Sequence, residues 1–231
     1  MVRSRTHTMI GVRPTYEVKA VNMKTTGRRG YHHGNLKQAL LEAARQLIEK
    51  QGAAGFSLTE AARLAGVSAA APYRHFRDRE ALLSEVAKSG FEQFSDRLEA
   101  AWQGGHPSPL KAFENVGRAY LAFASEEPAS YAAMFEAGLS VDDTPELKAA
   151  ADRSFDVLNR ITAAIAETAP EANLPPGALM SLHIWAMSHG IATLFSDGKP
   201  CRGKVPLASD EILEAGMLIY LRGLGIIPTE K

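Results

Sequence analysis

Several things are scarce in this sequence of 231 residues, and each scarcity excludes something. Its one cysteine, Cys201, has no partner for an internal disulfide, which fits a chain kept in a reducing cytoplasm. No run of about 18 apolar residues is present, so no membrane-spanning segment is expected. The arginines near the N-terminus are not followed by an apolar stretch, so no secretory signal is expected there either. There is no nucleophile elbow, no His-Glu-x-x-His, no glycine loop shaped for phosphate and no pair of carboxylates with a plausible base. An enzyme is therefore not expected, and neither a cofactor nor a metal is called for. What is present, 45% hydrophobic and 23% charged residues, is ordinary for a globular protein with a real core.

A formal net charge of zero conceals a division. Through Glu80 there are fourteen basic residues against six acidic ones, and the remainder is acidic by the same margin. A basic end points toward a polyanion, with the body doing something else. Much of the surplus lies in residues 1–30, which show no hydrophobic period and read as a basic, flexible arm. Met23 begins a more ordinary stretch, MKTTGRRGYHHGNL, and is a second candidate start of translation.

Beyond the arm almost everything has helical period, so the expected fold class is all-α with about nine helices. Leu36, Leu40, Ala43, Ala44, Leu47 and Ile48 recur at helical spacing up to Gly52. Ser57-Leu-Thr-Glu60 is a capping box, and Gly66 ends the short helix that it starts. Ser68 is expected to cap a second short helix over Ala69–His75, and Asp78 a long one reaching Trp102. Ser108-Pro109, Pro128, Thr144-Pro145, Pro175-Pro176 and Ser209 mark five further starts.

The most specific stretch is SLTEAARLAGVSAAAPYRHF, residues 57–76, which reads as helix, tight turn and helix. Ala61, Ala62 and Ala65 are small enough for two helices to cross, Gly66 tolerates the turn, and Val67 plugs it. The second helix would then enter a major groove, and its small exposed residues would let the backbone approach the base edges. Tyr73 and His75 can hydrogen-bond phosphates, and Arg79 can add a charge-assisted contact. Thr59 sits in the first turn of the preceding helix, where free N–H groups attract phosphate. An alanine-rich hairpin with a glycine turn is common in all-α proteins. The basic end and the Tyr-x-His-Phe close are what favour DNA.

AARLAGVS at 61–68, YRHF at 73–76, then Arg79 and EALL at 80–83, resemble the DNA-binding signature of the TetR family of bacterial transcriptional regulators. The resemblance covers roughly Tyr31 to Phe94. YHHGNLKQALLEAA (31–44), AAPYRHF (70–76) and Trp185-Ala-Met-Ser-His189-Gly190 resemble the branch whose C-terminal domain bears a Trp-x-x-x-His-Gly motif. Two features depart from the pattern. Many relatives have Lys where this chain has Arg79, and Ala69-Ala70-Ala71 offers no polar group for reading bases. Discrimination would then rest on Ser68, on the arm or on DNA shape. Arg28 and Arg29 resemble extensions that reach a minor groove or phosphates, and equally suit a solvated tail. The DNA-contacting set expected is Arg28, Arg29, Thr59, Ser68, Ala69, Ala71, Pro72, Tyr73, His75 and Arg79.

The resemblance implies three parts: an arm (1–30), a three-helix helix-turn-helix domain (31–78), and a helical effector-binding and dimerisation domain (79–231). In the family the last two long helices pair with their copies, here about 176–196 and 209–223. Their periodicity fits an internal core equally well. Phe113, Tyr120, Phe123, Tyr131, Met134, Phe135, Trp185 and His189 lie in the helices that would enclose a small-molecule effector, although aromatic and Met positions more often fill a core. His183 and His189 are six apart and share no helix face as a metal pair would. His189 reads first as a structural histidine, hydrogen-bonded while Gly190 allows close helix packing. The expected partners are a double-stranded palindromic operator, a second copy of the chain and an unidentified effector that releases a repressor. The alternative is a DNA-binding regulator controlled by a partner protein, with no small-molecule pocket.

Overall fold

A computed structural model of the chain describes residues 36–196 and 206–228. The basic arm with Arg28 and Arg29, and the loop bearing Cys201, lie outside the described residues. Within them are eight α-helices, three short 3-10 turns and no strand. They are α1 (Leu36–Gln51), α2 (Leu58–Leu64), α3 (Arg79–Trp102), α4 (Pro109–Glu126), α5 (Pro128–Phe135), α6 (Pro145–Glu167), α7 (Gly177–Phe195) and α8 (Ser209–Gly223).

Local chemistry sets most of the boundaries. The Asp78 carboxylate accepts from the Ala81 N–H at 2.8 Å and opens α3. Ser108 and Thr144 do the same for α4 and α6, each followed by a proline whose missing N–H is not needed there. At α8 the structure corrects the sequence. Ser209 is already helical, and the Glu211 carboxylate accepts from the Ala208 N–H at 2.7 Å.

The larger correction concerns the second helix of the hairpin. Ala69–His75 does not form an α-helix; only Pro72–Arg74 winds, as a 3-10 turn. Pro72 has no N–H to return to the Ser68 carbonyl, and the Ala71 N–H takes that carbonyl instead at 3.0 Å. The His75 and Phe76 N–H groups then converge on the Pro72 carbonyl, each at 2.9 Å. The expected nine helices thus become eight and a tight turn.

α3 organises the rest, with α4, α5 and α6 packed along it and α1 against its start. Leu82, Leu83 and Val86 are buried near that start, and Phe91, Phe94 and Leu98 further along. Asp78–Arg79, the expected domain boundary, is the first turn of this helix, and α1 packs on both α3 and α5. The helix-turn-helix is therefore seated directly on the body.

One helix is apolar over most of its length. α7 spans 19 residues with a mean hydropathy of 1.2, long and apolar enough to cross a bilayer by length and composition. It packs against α4, α6 and α8, and it carries Ser181, His183, Ser188 and His189.

Candidate nucleic-acid interface and ligand cavity

The Ser57 N–H donates to Glu60 at 2.8 Å, and the Ser57 hydroxyl accepts from the Glu60 N–H at 3.2 Å, closing the capping box. The Ser57 hydroxyl also donates to the Glu60 carboxylate at 2.9 Å, and this bond, followed by that from the Ser57 N–H, holds the Glu60 carboxyl below its usual range. Gly66 takes φ +72°, where a Cβ would be strained, and the Val67 N–H returns to the Ala62 carbonyl at 3.0 Å. Ala61 and Ala62 are fully buried, as the crossing requires, and Val67 packs against the core.

The chain then presents Ser68, Ala69 and Ala70 to solvent. Ala71 is half-buried, and Pro72 and Phe76 point inward as two anchors. Between the anchors Tyr73 stands 59% exposed, with Arg74 and His75 also exposed. Thr59 is exposed on α2. Of the expected DNA-contacting set, Thr59, Ser68, Ala69, Tyr73 and His75 are exposed. Pro72 supports the segment from beneath.

Arg79, expected to add a charge-assisted phosphate contact, is engaged within the fold. Its guanidinium lies over the Phe56 ring, 5.0 Å from the centroid, and donates to the Ala53 carbonyl. It ties the start of α3 to the connection between α1 and α2. An exposed cation within the segment itself is Arg74, which the sequence reading passed over. Its position between Tyr73 and His75 was the available signal.

In the body, α3 to α8 enclose a cavity of about 680 Å³. Of the residues named for an effector site, Phe113, Tyr120, Met134, Phe135 and Trp185 line it. Phe123, Tyr131 and His189 are not on its lining. Phe123 is fully buried, with its ring centroid 5.0 Å from that of Phe94. Tyr131 and His189 stand behind the wall, with the Tyr131 hydroxyl 2.7 Å from His189 Nδ1 and the Tyr120 hydroxyl 3.3 Å from the same atom.

Burial pushes the Tyr120 hydroxyl far above its usual range, with the Tyr131 phenol adding to it, and burial likewise raises Tyr131. Burial lowers His189, partly offset by Glu136. His189 is hydrogen-bonded as the sequence suggested, but Gly190 does not provide close packing. A Cβ there would meet nothing within 4 Å. Close approach occurs at Gly90, where a Cβ would stand 2.8 Å from Met134 Sδ, and at Gly117, 3.2 Å from Leu213 Cδ2.

Two family models match the chain in the same order as these two sites. Residues 40–86 match the bacterial regulatory proteins of the tetR family, and residues 113–219 a Tetracyclin repressor-like C-terminal domain. The chain belongs to the TetR family. It is 36% identical over 93 residues to the HTH-type transcriptional repressor BepR of Brucella suis, which is 39% of this chain and 44% of BepR. It is 33% identical over 81 residues to the HTH-type transcriptional regulator AcrR of Shigella flexneri, 35% of this chain and 37% of AcrR. The matched region is less than half the length of either relative. A protein of unknown function from Rhodococcus sp. RHA1 is similar over 85% of this chain and 98% of its own, at 34% identity and a TM-score of 0.70. The TetR family regulator PfmR from Thermus thermophilus shares the fold over 80% of this chain and 98% of its own, with a TM-score of 0.63 at 24% identity. Residues 68–75 lie in the part matched by the tetR family model.

Proposed function

We propose that this TetR family member is a cytoplasmic repressor that binds a palindromic operator as a homodimer and is released by a small-molecule effector. The reading is carried by one observation: a stretch of small exposed residues, Ser68 to Ala70, held in place by buried Pro72 and Phe76. Small side chains let backbone and Ser68 approach base edges, while Tyr73, Arg74, His75 and Thr59 are placed to meet phosphates. The basic arm with Arg28 and Arg29 would add sequence-independent attraction.

One such head covers little DNA, and pairing two on a two-fold axis is the usual remedy. Support for pairing comes from α7 and α8, where Leu179, Leu182, Leu194, Leu218 and Ile219 are large apolar residues left exposed. A second copy covering this face would form a two-fold interface. Effector release requires a molecule that binds the two conformations with different affinity, and the presence of the cavity supports this part of the reading.

Gel-shift titration of the purified protein against its own upstream region at low salt, with mass measured by light scattering, tests the proposal. A dimer that shifts this DNA and loses it to a metabolite extract supports the reading. No shift even in dilute buffer overturns it.

A further inference from the structure

We propose that the cavity takes an uncharged, bulky apolar molecule bearing one hydrogen-bond acceptor, which the Tyr120 hydroxyl holds. This rests on the effector-release reading above and names the chemical class of that effector.

The walls carry the first part of the argument. Rings from α3 to α7 surround the space, among them Phe91, Phe113, Phe155 and Trp185, with Met217 on α8. Charged side chains reach the lining only where water reaches them. Lys111, Arg118, Asp152 and Glu214 are about half exposed or more, Asp210 is exposed, and Glu114 is still 26% exposed. Both cations are already paired. Glu114 accepts from Lys111 at 2.7 Å and pairs with Arg118 at 2.5 Å, and Arg118 also reaches Glu214 at 3.3 Å. A charge carried to the rings would thus be desolvated with no counter-ion beside it, which is strongly disfavoured.

The polar groups of the inner wall carry the second part. The Ser154 hydroxyl donates to the Ala151 carbonyl at 2.7 Å, and that of Ser188 to the Ile184 carbonyl at 3.0 Å. Tyr120 is different. It is 5% exposed, lines the cavity, and shares one nitrogen with Tyr131. His189 Nδ1 offers either one lone pair or one N–H, and so serves one partner fully. Tyr131, at 2.7 Å, is that partner, and at 3.3 Å the Tyr120 proton is left with a weak second claim. The Tyr120 phenol is neutral, its anion disfavoured by burial and by the Tyr131 phenol, and the Trp185 side chain also reaches its hydroxyl; with its bond to His189 at 3.3 Å, its proton can turn to an ether, carbonyl or hydroxyl oxygen.

A matched pyrene series tests this by fluorescence titration of the full chain. The probes are 1-pyrenemethanol, 1-methylpyrene, 1-pyrenemethylammonium and 1-pyrenecarboxylate. The alcohol is expected to bind at least about 10-fold more tightly than either ion. Tyr120→Phe should weaken the alcohol roughly 5-fold and leave 1-methylpyrene unchanged, because only the alcohol presents an acceptor. Tyr131→Phe, which hands Nδ1 to Tyr120, should weaken the alcohol in the same selective way and covers the case in which Tyr120→Phe fails to fold. An ion that binds as tightly as the alcohol, or substitutions that affect both neutral probes alike, overturns the inference. Operator binding by the wild-type protein is measured alongside. No pyrene binding with operator binding intact sinks this inference alone. Pyrene selectivity without operator binding upholds the cavity chemistry and sinks the regulator reading.

Discussion

Arg79 lies over the ring of Phe56, its guanidinium carbon 5.0 Å from the centroid, and donates to the carbonyl of Ala53. The first residue of α3 thus clasps the connection that precedes α2, on the far side of the hairpin in sequence. A planar, delocalised cation suits this place better than a compact ammonium, because it can stack and donate at once.

Arg79→Lys should therefore act on folding before it acts on DNA. A loss of about 1 kcal/mol in urea unfolding is expected from the weakened cation–π and hydrogen-bond pair. Operator affinity should fall only by as much as the hairpin loosens, with the salt slope unchanged. A reduced salt slope at full stability would instead make Arg79 a phosphate contact.

Tyr73 and Arg74 are neighbours with different expected signatures. Arg74→Ala should weaken binding to all sequences alike and reduce the slope of log affinity against log salt by about one. Tyr73→Phe removes a neutral hydrogen bond, so it should weaken binding about 5-fold with the slope unchanged. Titrations at three salt concentrations separate the two.

Ile219 is 72% exposed on α8, beside Leu218, and α7, which packs on α8, carries exposed leucines of its own. Ile219→Lys would place a charge in the proposed two-fold interface. It should shift the mass in light scattering from dimer toward monomer and weaken operator binding at least 10-fold, with little change in helix content.

His189 gives a pH dependence with a definite sign. Its pKa in the folded chain is lowered by burial, so between the folded value and the ordinary one near 6.5 the unfolded chain binds the extra proton. Stability from this group is complete above that ordinary value and declines as pH falls through the window. The melting temperature of the wild type should drop more between pH 7 and pH 5.5 than that of His189→Gln. Equal drops would show that His189 does not titrate differently in the folded state.

Gly90→Val places a branched side chain where even a Cβ would stand 2.8 Å from Met134 Sδ and 3.3 Å from Ser130 Cβ. Overpacking between α3 and α5 should cost about 1–3 kcal/mol. Gly190→Ala, facing open space, should be neutral or slightly stabilising through helix propensity. Chemical denaturation of the pair checks both.

Much of the helical frame was legible because its signals are local. Ser57 with Glu60, Asp78, Ser108-Pro109 and Thr144-Pro145 satisfy amides within three residues of themselves, so sequence spacing alone locates them. The hairpin signature was legible for the same reason, since Ala61, Ala62 and Gly66 are demanded by crossing and turn. Pro72 carried a local message too, but the α-helical expectation over Ala69–His75 overrode the missing donor that shortens the segment to a 3-10 turn.

What no periodicity could decide is which inward-facing ring meets empty space and which meets another ring. Phe113 and Phe123 sit on one amphipathic helix, yet only Phe113 lines the cavity, because Phe94 and its neighbours fill the room around Phe123. Arg79 and Arg74 look alike as basic residues near a hairpin, and only the fold turns one onto Phe56 and leaves the other in water. Tyr120, Tyr131 and His189 come from three helices, so their contest for one nitrogen exists only once those helices pack.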